Sequence, residues 1–242
     1  MSHGYGQYCP VSRGAEVFAE RWTPLVVRNL FIGCHTFGEI LEGVPRMPRS
    51  LLTKRLSSLE REGIIERRPN PRGRGSWYSL TPAGDELTRV CIELGNWAAR
   101  WLMLRPQDLD PRVVLWGWKK MMHLELLPPR RVVVRFDLRD RPREAFWLLL
   151  DHQEAEVCTN DPGFEDDIVI ITDCETLALI HMGRMSMPMA TRAGHWKMDG
   201  PRDLVRAFPT WGGLSYFSDV KPVWRVMSAP SRRDATSIPA SQ

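Results

Sequence analysis

Nine cations and three carboxylates lie between Arg46 and Arg74, a local excess of +6 in a chain whose formal net charge is +4. Within this window Leu52, Leu56 and Leu59 recur at i, i+4 and i+7, the period of one buried helix face. Arg49, Ser50, Thr53, Lys54, Ser57 and Arg61 fall on the other face. Short hydroxyls permit close approach to another surface, and long cations reach phosphates or guanine edges, so this pattern suits a helix laid in a DNA major groove. Downstream, Arg67, Arg72 and Arg74 flank a turn-rich run, Pro69 to Gly75, where glycines allow bends and arginines project. Cations at a hairpin tip suit phosphate contact or insertion into a narrow minor groove.

Other reactive residues carry weaker patterns. Cys9 lies just before Pro10, with Arg13 close enough in sequence to assist ionisation of its thiol; its alternative is a small packing residue. Cys34-His35 are adjacent in a turn and rarely converge, and no metal-ligand spacing follows, so no metal and no cofactor are expected. Gly73-x-Gly75 lacks the helix that a nucleotide-binding loop requires. The acidic turn Asp161 to Asp167 departs from EF-hand spacing and reads as a solvated loop. No nucleophile-base-carboxylate order is present, which argues against an enzyme.

Composition narrows the class further. The 242 residues are 43% hydrophobic and 26% charged, a globular balance. Apolar runs such as Phe146–Leu150 are too short to cross a bilayer, so no membrane partner is expected. The opening residues carry no basic and apolar leader, and the five cysteines form no CxxC pair; both favour a cytoplasmic protein with free thiols. Fourteen basic and ten acidic residues lie in 1–104, whereas 105–242 holds nineteen of each, so the whole excess belongs to the first part.

The elements that must position the cationic helix follow from cap signals. Thr23-Pro24 reads as an N-cap and first-turn proline that interrupts a helical stretch beginning at Ala15, ending one helix near Arg21 and opening another through Ile32. Thr36-Phe37-Gly38-Glu39 is a capping box opening a short helix that ends near Gly43. Pro48 then starts the leucine-striped helix, and the spacing is that of a helix-turn-helix. Gly63 ends that helix; Ile64–Arg68 and Ser76–Leu80 form a hairpin wing; Thr81-Pro82 opens a long helix to about Leu104.

Cys9-Pro10-Val11, Glu16-Val17-Phe18, Arg21-Trp22-Thr23, Phe37-Gly38-Glu39-Ile40, Leu51 to Leu56, Leu59 to Gly63 and Trp77 to Gly84 together resemble the HxlR family of bacterial winged-helix regulators, over about Tyr8 to Leu104. Thr36 departs from the pattern, which has a basic residue there. The resemblance implies a homodimeric, cytoplasmic, non-enzymatic transcription factor on two half-sites of double-stranded DNA, with a redox thiol near Cys9 in several members. Leu87, Val90, Cys91, Leu94, Trp97, Ala98 and Trp101 line one stripe of the long helix, covered either by a second copy or by the rest of the chain. A two-fold dimer sets recognition helices about 34 Å apart and predicts a pseudo-palindromic operator.

Arg105 to Pro111 is a polar, Pro-containing break. The expected organisation is a winged helix-turn-helix domain at 1–104, an α+β domain with one sheet covered by helices at 105–227, and a flexible tail at 228–242. A helix is predicted over Val113–Leu126; strands over Arg131–Leu138, Glu144–Leu150, Glu154–Thr159 and Asp167–Thr172; helices over Cys174–Met182 and Met187–Ala193; a strand over Trp196–Asp199; and a helix over Pro201–Phe208. This succession of strands, followed by His181 through Gly183-Arg184 to Phe208, is similar over roughly Arg130 to Phe208 to the sterol-carrier-type lipid-binding domain, which implies an apolar tunnel. Trp118, Phe136, Trp147, Met182, Met185, Met187 and Met189 are the candidate lining for an apolar small-molecule effector, with plain core as the alternative. The expected function is therefore an effector-controlled DNA-binding regulator. The alternatives are a redox switch through Cys9 with a purely structural second domain, and, last, a lipid carrier or enzyme.

Overall fold

Proline and cap residues place most helix starts, and periodic apolar residues then tie the helices together. A computed structural model describes residues 4–223; the expected tail at 228–242 lies outside them. The first part runs α1 (Pro10–Phe18), α2 (Thr23–Phe31), α3 (Phe37–Glu42), α4 (Arg49–Arg61), β1 (Ile65–Pro69), β2 (Ser76–Leu80) and α5 (Pro82–Trp101). The capping box of α3 is formed in both directions between Thr36 and Glu39, and the Thr81 hydroxyl accepts from the Gly84 N–H at the start of α5. Each such cap contributes about 1 kcal/mol.

Two starts differ from expectation. Pro10, not Ala15, begins α1, in the first-turn position where a missing N–H costs nothing. Thr23 does not cap α2: Trp22 is the N-cap, in a left-handed conformation with φ 78°. The Thr23 side chain is drawn into the core, and its buried hydroxyl has no hydrogen-bond partner among the described residues.

Leu52, Leu56 and Leu59 of α4 pack with Val26, Leu30, Ile40, Val44, Met47, Ile65 and Tyr78 in a first core. Burial of each leucine stabilises by about 1.5–3 kcal/mol relative to exposure. β1 and β2 pair antiparallel, Ile65 opposite Leu80 and Pro69 opposite Ser76.

The second part holds α6 (Pro111–Lys120), β3 (Val132–Leu138), β4 (Ala145–Leu150), β5 (Ala155–Cys158), β6 (Ile168–Thr172), α7 (Cys174–His181), α8 (Met187–Arg192), β7 (Lys197–Asp199) and α9 (Arg202–Trp211). The helix expected over Val113–Leu126 stops at Lys120; a separate 3-10 turn spans Leu124–Leu126. One sheet has the order β5-β4-β3-β6-β7. β3 and β6 are parallel and the other neighbours antiparallel. Val132, Val134, Phe136 and Leu138 alternate into a second core with Phe146, Leu148, Ile168, Ile170 and residues of α6, α7 and α9. At its centre Trp118 stacks on Trp196 and Phe208, with centroids 6.2 and 6.3 Å away, and its indole N–H donates to the Leu177 carbonyl.

α6 belongs to both cores. Trp116 is buried in the first and Trp118 in the second. After α9 the chain runs along the second part and then reaches the first: Gly213 N–H donates to Met121 O and Ser215 N–H to His181 O, and Val223 N–H to Arg100 O of α5. Phe217 lies so close over Gly95 of α5 that a Cβ there would overlap its ring.

Candidate nucleic-acid interface

With its leucines facing inward, α4 presents Ser50, Thr53, Lys54 and Ser57 outward, all exposed. At 100° per residue these four fall within roughly a 100° arc, and Arg49 stands at its edge, exposed, with its guanidinium 4.9 Å over the Phe37 ring. The Thr53 hydroxyl donates to the Arg49 carbonyl, which leaves its oxygen lone pairs outward. Arg55, on the same helix, is turned away: it pairs with Glu20 at 3.0 Å and is largely covered. Sequence periodicity already leaves Arg55 off the outward face that carries Lys54; what it does not show is the partner, Glu20.

The hairpin tip is shaped by Asn70, whose side chain accepts from the Arg72 N–H and whose main chain closes onto Gly73 and Gly75. Gly75 has φ 100°, a conformation that L side chains rarely adopt. Arg74 and Arg72 are exposed at the tip, Arg72 lying 5.3 Å over the Trp77 ring. Arg67 is exposed but tied, its Nε donating to Ser76 across the hairpin at 2.7 Å.

His35 stacks on Trp77 at 4.3 Å, its Nδ1 lies 2.9 Å from the Tyr78 carbonyl, and the Tyr78 N–H donates to His35 O. The turn before α3 is thus stitched to the wing, which fixes the hairpin relative to α3 and α4. Glu39 locks that turn, accepting from the His35 and Thr36 backbone N–H groups at 2.7 and 2.9 Å. Burial pushes the Glu39 carboxyl up, but these bonds outweigh it and hold its pKa below the usual value. Thr36, which departs from the family pattern, therefore works here as a cap. The stacking of His35 on Trp77 left no mark in the sequence because the two positions are 42 residues apart.

α6 braces the turn between α3 and α4. Gly43 lets the Trp116 indole and the Asn29 amide approach so closely that a Cβ would overlap both. Asn29 donates to Ile40 O at 2.8 Å, and Arg28 donates to Gly43 O at 2.9 Å while stacking over Trp116 at 5.0 Å. Lys119 pairs with Glu42 at 2.8 Å, and Arg46 lies 3.6 Å from Asp110. Asp110 caps α6 and is bound by the Arg112 guanidinium, which lowers its pKa. Asp110-Pro111 is the same cap-and-proline signal as Thr81-Pro82, and could have marked this helix start.

The candidate effector lining divides. Trp118, Met185, Met187 and Met189 border one cavity of about 450 Å³, while Met182 borders another of about 320 Å³. Phe136 is buried in the sheet core, and Trp147 donates from its indole N–H to Asp166 and faces a polar cleft.

His181 lies on the wall of both cavities. Burial pushes its pKa down to about 4, against a weaker opposing pull from the Gly213 backbone. The folded chain then binds fewer protons than the unfolded chain between about pH 4 and 6.5, so stability is full above that window and falls through it. The expected loss reaches roughly 3 kcal/mol by about pH 4, and His181→Gln should remove that share of the slope in urea melts at stepped pH.

Burial raises the pKa of the Cys34, Cys91, Cys158 and Cys174 thiols, the last to about 12. Cys9 is half-buried at the N-cap of α1. Arg13, expected beside that thiol, pairs instead with Glu16.

The stripe on α5 also divides. Cys91, Ile92 and Gly95 turn toward α2, the cavity and Phe217. Val90, Leu94, Trp97 and Trp101 share an exposed arc, the two tryptophans 53% and 55% accessible.

Comparison with known proteins agrees with this geometry. The profile of the HxlR-like helix-turn-helix family matches residues 17–106. The uncharacterised HTH-type transcriptional regulator YvaP of Bacillus subtilis is 32% identical over 106 residues, 43% of this chain and 96% of its own length. The uncharacterised HTH-type transcriptional regulator sll1512 of Synechocystis is 35% identical over 98 residues, 40% of this chain and 73% of its own. The HTH-type transcriptional regulator YodB of Bacillus subtilis is 34% identical over 92 residues, 37% of this chain and 82% of its own.

Proposed function

The chain belongs to the HxlR-like helix-turn-helix family of transcriptional regulators, and from that premise we propose that it works as a non-enzymatic homodimer whose affinity for a pseudo-palindromic DNA operator is set by an apolar small molecule held by its second part. The observation that carries the DNA reading is the exposed arc of Ser50, Thr53, Lys54 and Ser57 on α4, placed beside a hairpin ending in Arg72 and Arg74. α4 enters the major groove, with Arg49 and Lys54 at base edges or phosphates, and the hairpin arginines reach phosphates or the adjacent minor groove. Arg67 supports the hairpin through Ser76 and adds charge along its edge.

The dimer reading is supported by Val90, Leu94, Trp97 and Trp101, an apolar strip too exposed to be comfortable in water. Paired across a two-fold axis, these strips bring two copies of α4 to successive major grooves.

Arg72→Ala combined with Arg74→Ala should weaken binding to every duplex tested and flatten the plot of log affinity against log salt by up to roughly 2 in slope, since each phosphate contact contributes about 0.9. A salt titration by fluorescence anisotropy measures both. Unchanged affinity and slope would refute the wing assignment.

A second reading, a redox switch, is favoured only by the position of Cys9: it stands at a helix start while Cys34 and Cys174 are fully buried. Oxidant followed by non-reducing electrophoresis separates the two readings, because a switch through Cys9 requires a disulfide-linked species that Cys9→Ser abolishes.

A further inference from the structure

The cavity of about 320 Å³ lies between the two cores, and both supply its walls: Phe31 of α2, Ile92 of α5, Gly117 of α6, His181 of α7, and Tyr216 and Phe217 of the returning segment. The walls are mostly carbon. Three charged residues also border it. Arg28 is held by the Asn29 side chain and Gly43 O and stacks over Trp116, Asp108 pairs with Arg105, and Lys120 is half-buried. An ionised ligand would have to shed its water against walls that are largely carbon, which is costly.

His181 supplies the polar feature. Its Nδ1 is buried and has no hydrogen-bond partner among the described residues, and its Nε2 rests against Gly117, 2.9 Å from where a Cβ would stand. A hydroxyl or carbonyl brought in by a ligand would meet the ring on its Nε2 edge, beside Gly117 on the cavity wall. Apolar clefts between domains with a few convergent polar groups are where small molecules bind.

We propose that this cavity binds an uncharged, largely apolar small molecule carrying one hydroxyl or carbonyl that bonds His181, clamped between the DNA-reading part and the sheet-containing part. Trp116, Gly117 and Trp118 are consecutive on α6 and point about 100° apart, one into the first core, one onto the cavity and one into the second core. A molecule seated against Gly117 therefore bears on the helix whose Trp116 packs against Gly43, in the turn that leads into α4. That coupling to α4 rests on the regulatory reading above; binding in the cavity does not.

The test uses the full chain and Nile red, an uncharged apolar dye with a carbonyl. Ile92→Trp fills the cavity from the DNA-reading side and Met182→Trp from the other; each should raise the dye Kd about tenfold or more. Met187→Trp, which faces the 450 Å³ cavity, should leave it within about twofold. Far-UV circular dichroism checks the fold, and with opposed walls either filled variant alone suffices. On dye saturation, hydrogen exchange should slow in α2 and α5 as well as in α6 and α7. No dye binding, loss of binding only in Met187→Trp, or protection confined to the second part would overturn the site. Tighter binding of the anionic dye anilinonaphthalene sulfonate would overturn the ligand class. DNA affinity is read separately: dye binding without DNA binding refutes the regulator alone, and DNA binding without dye binding refutes the cavity alone.

Discussion

Trp116→Ala should lower stability by about 3–5 kcal/mol and separate a joint unfolding transition into two. The indole is 5% exposed, packs among first-core residues from a helix that otherwise serves the second core, and fills the space left by Gly43. Its N–H has no partner among the described residues, so truncation breaks none of their hydrogen bonds and the loss is one of packing and cavity formation. What distinguishes it from an ordinary core truncation is where the void opens. Trp118→Ala, of similar size, would weaken the second core and leave the α6 contact with Gly43 intact. Urea melts followed by far-UV circular dichroism and by tryptophan fluorescence should coincide in the native chain and diverge in Trp116→Ala. Coincident transitions at an unchanged midpoint would show that α6 does not join the two parts.

Lys54→Glu should reduce DNA affinity by a hundredfold or more at low salt, on the order of the several kcal/mol that like charges cost across an interface. Lys54 lies within the exposed arc of α4, and reversal places a carboxylate where phosphates approach. Arg55→Ala is the matched control: one residue along, but paired with Glu20 and facing the protein. Its DNA affinity should stay within about twofold of native, once both are compared as folded protein. If the two variants lose affinity equally, α4 does not present this face to DNA.

Much of the first part was legible because its signals are local. A leucine every three or four residues, Thr36 with Glu39 and Thr81 with Pro82 each act within one or two turns, and the structure places them as expected. β3 was legible from alternation and β4 and β6 from short apolar runs, but the parallel pairing of β3 with β6 joins residues some thirty-four apart and leaves no local mark. Thr23 misled because its neighbours spell a cap, whereas tertiary packing drew the side chain inward. Of the site, the cations were visible as types but not as partners. Arg67 and Arg55 are tied down by Ser76 and Glu20, facts carried by the hairpin register and by α1's approach to α4. The effector residues were grouped by type; the fold keeps Met185, Met187 and Met189 with Trp118 on one cavity, whereas Met182, at the end of α7, borders another and Phe136 and Trp147 belong to the sheet.

Gly43 also bears on where the chain can be cut. A fragment stopped at Leu104, the natural-looking edge before the proline-containing break, would keep the slot above Gly43 and Asn29 but lose the indole that occupies it, along with the Lys119 and Asp110 partners of Glu42 and Arg46. A fragment carried on through Lys120 retains all three, yet bares Trp118 to water. α6 makes every division of this protein leave one tryptophan on the wrong side of the cut.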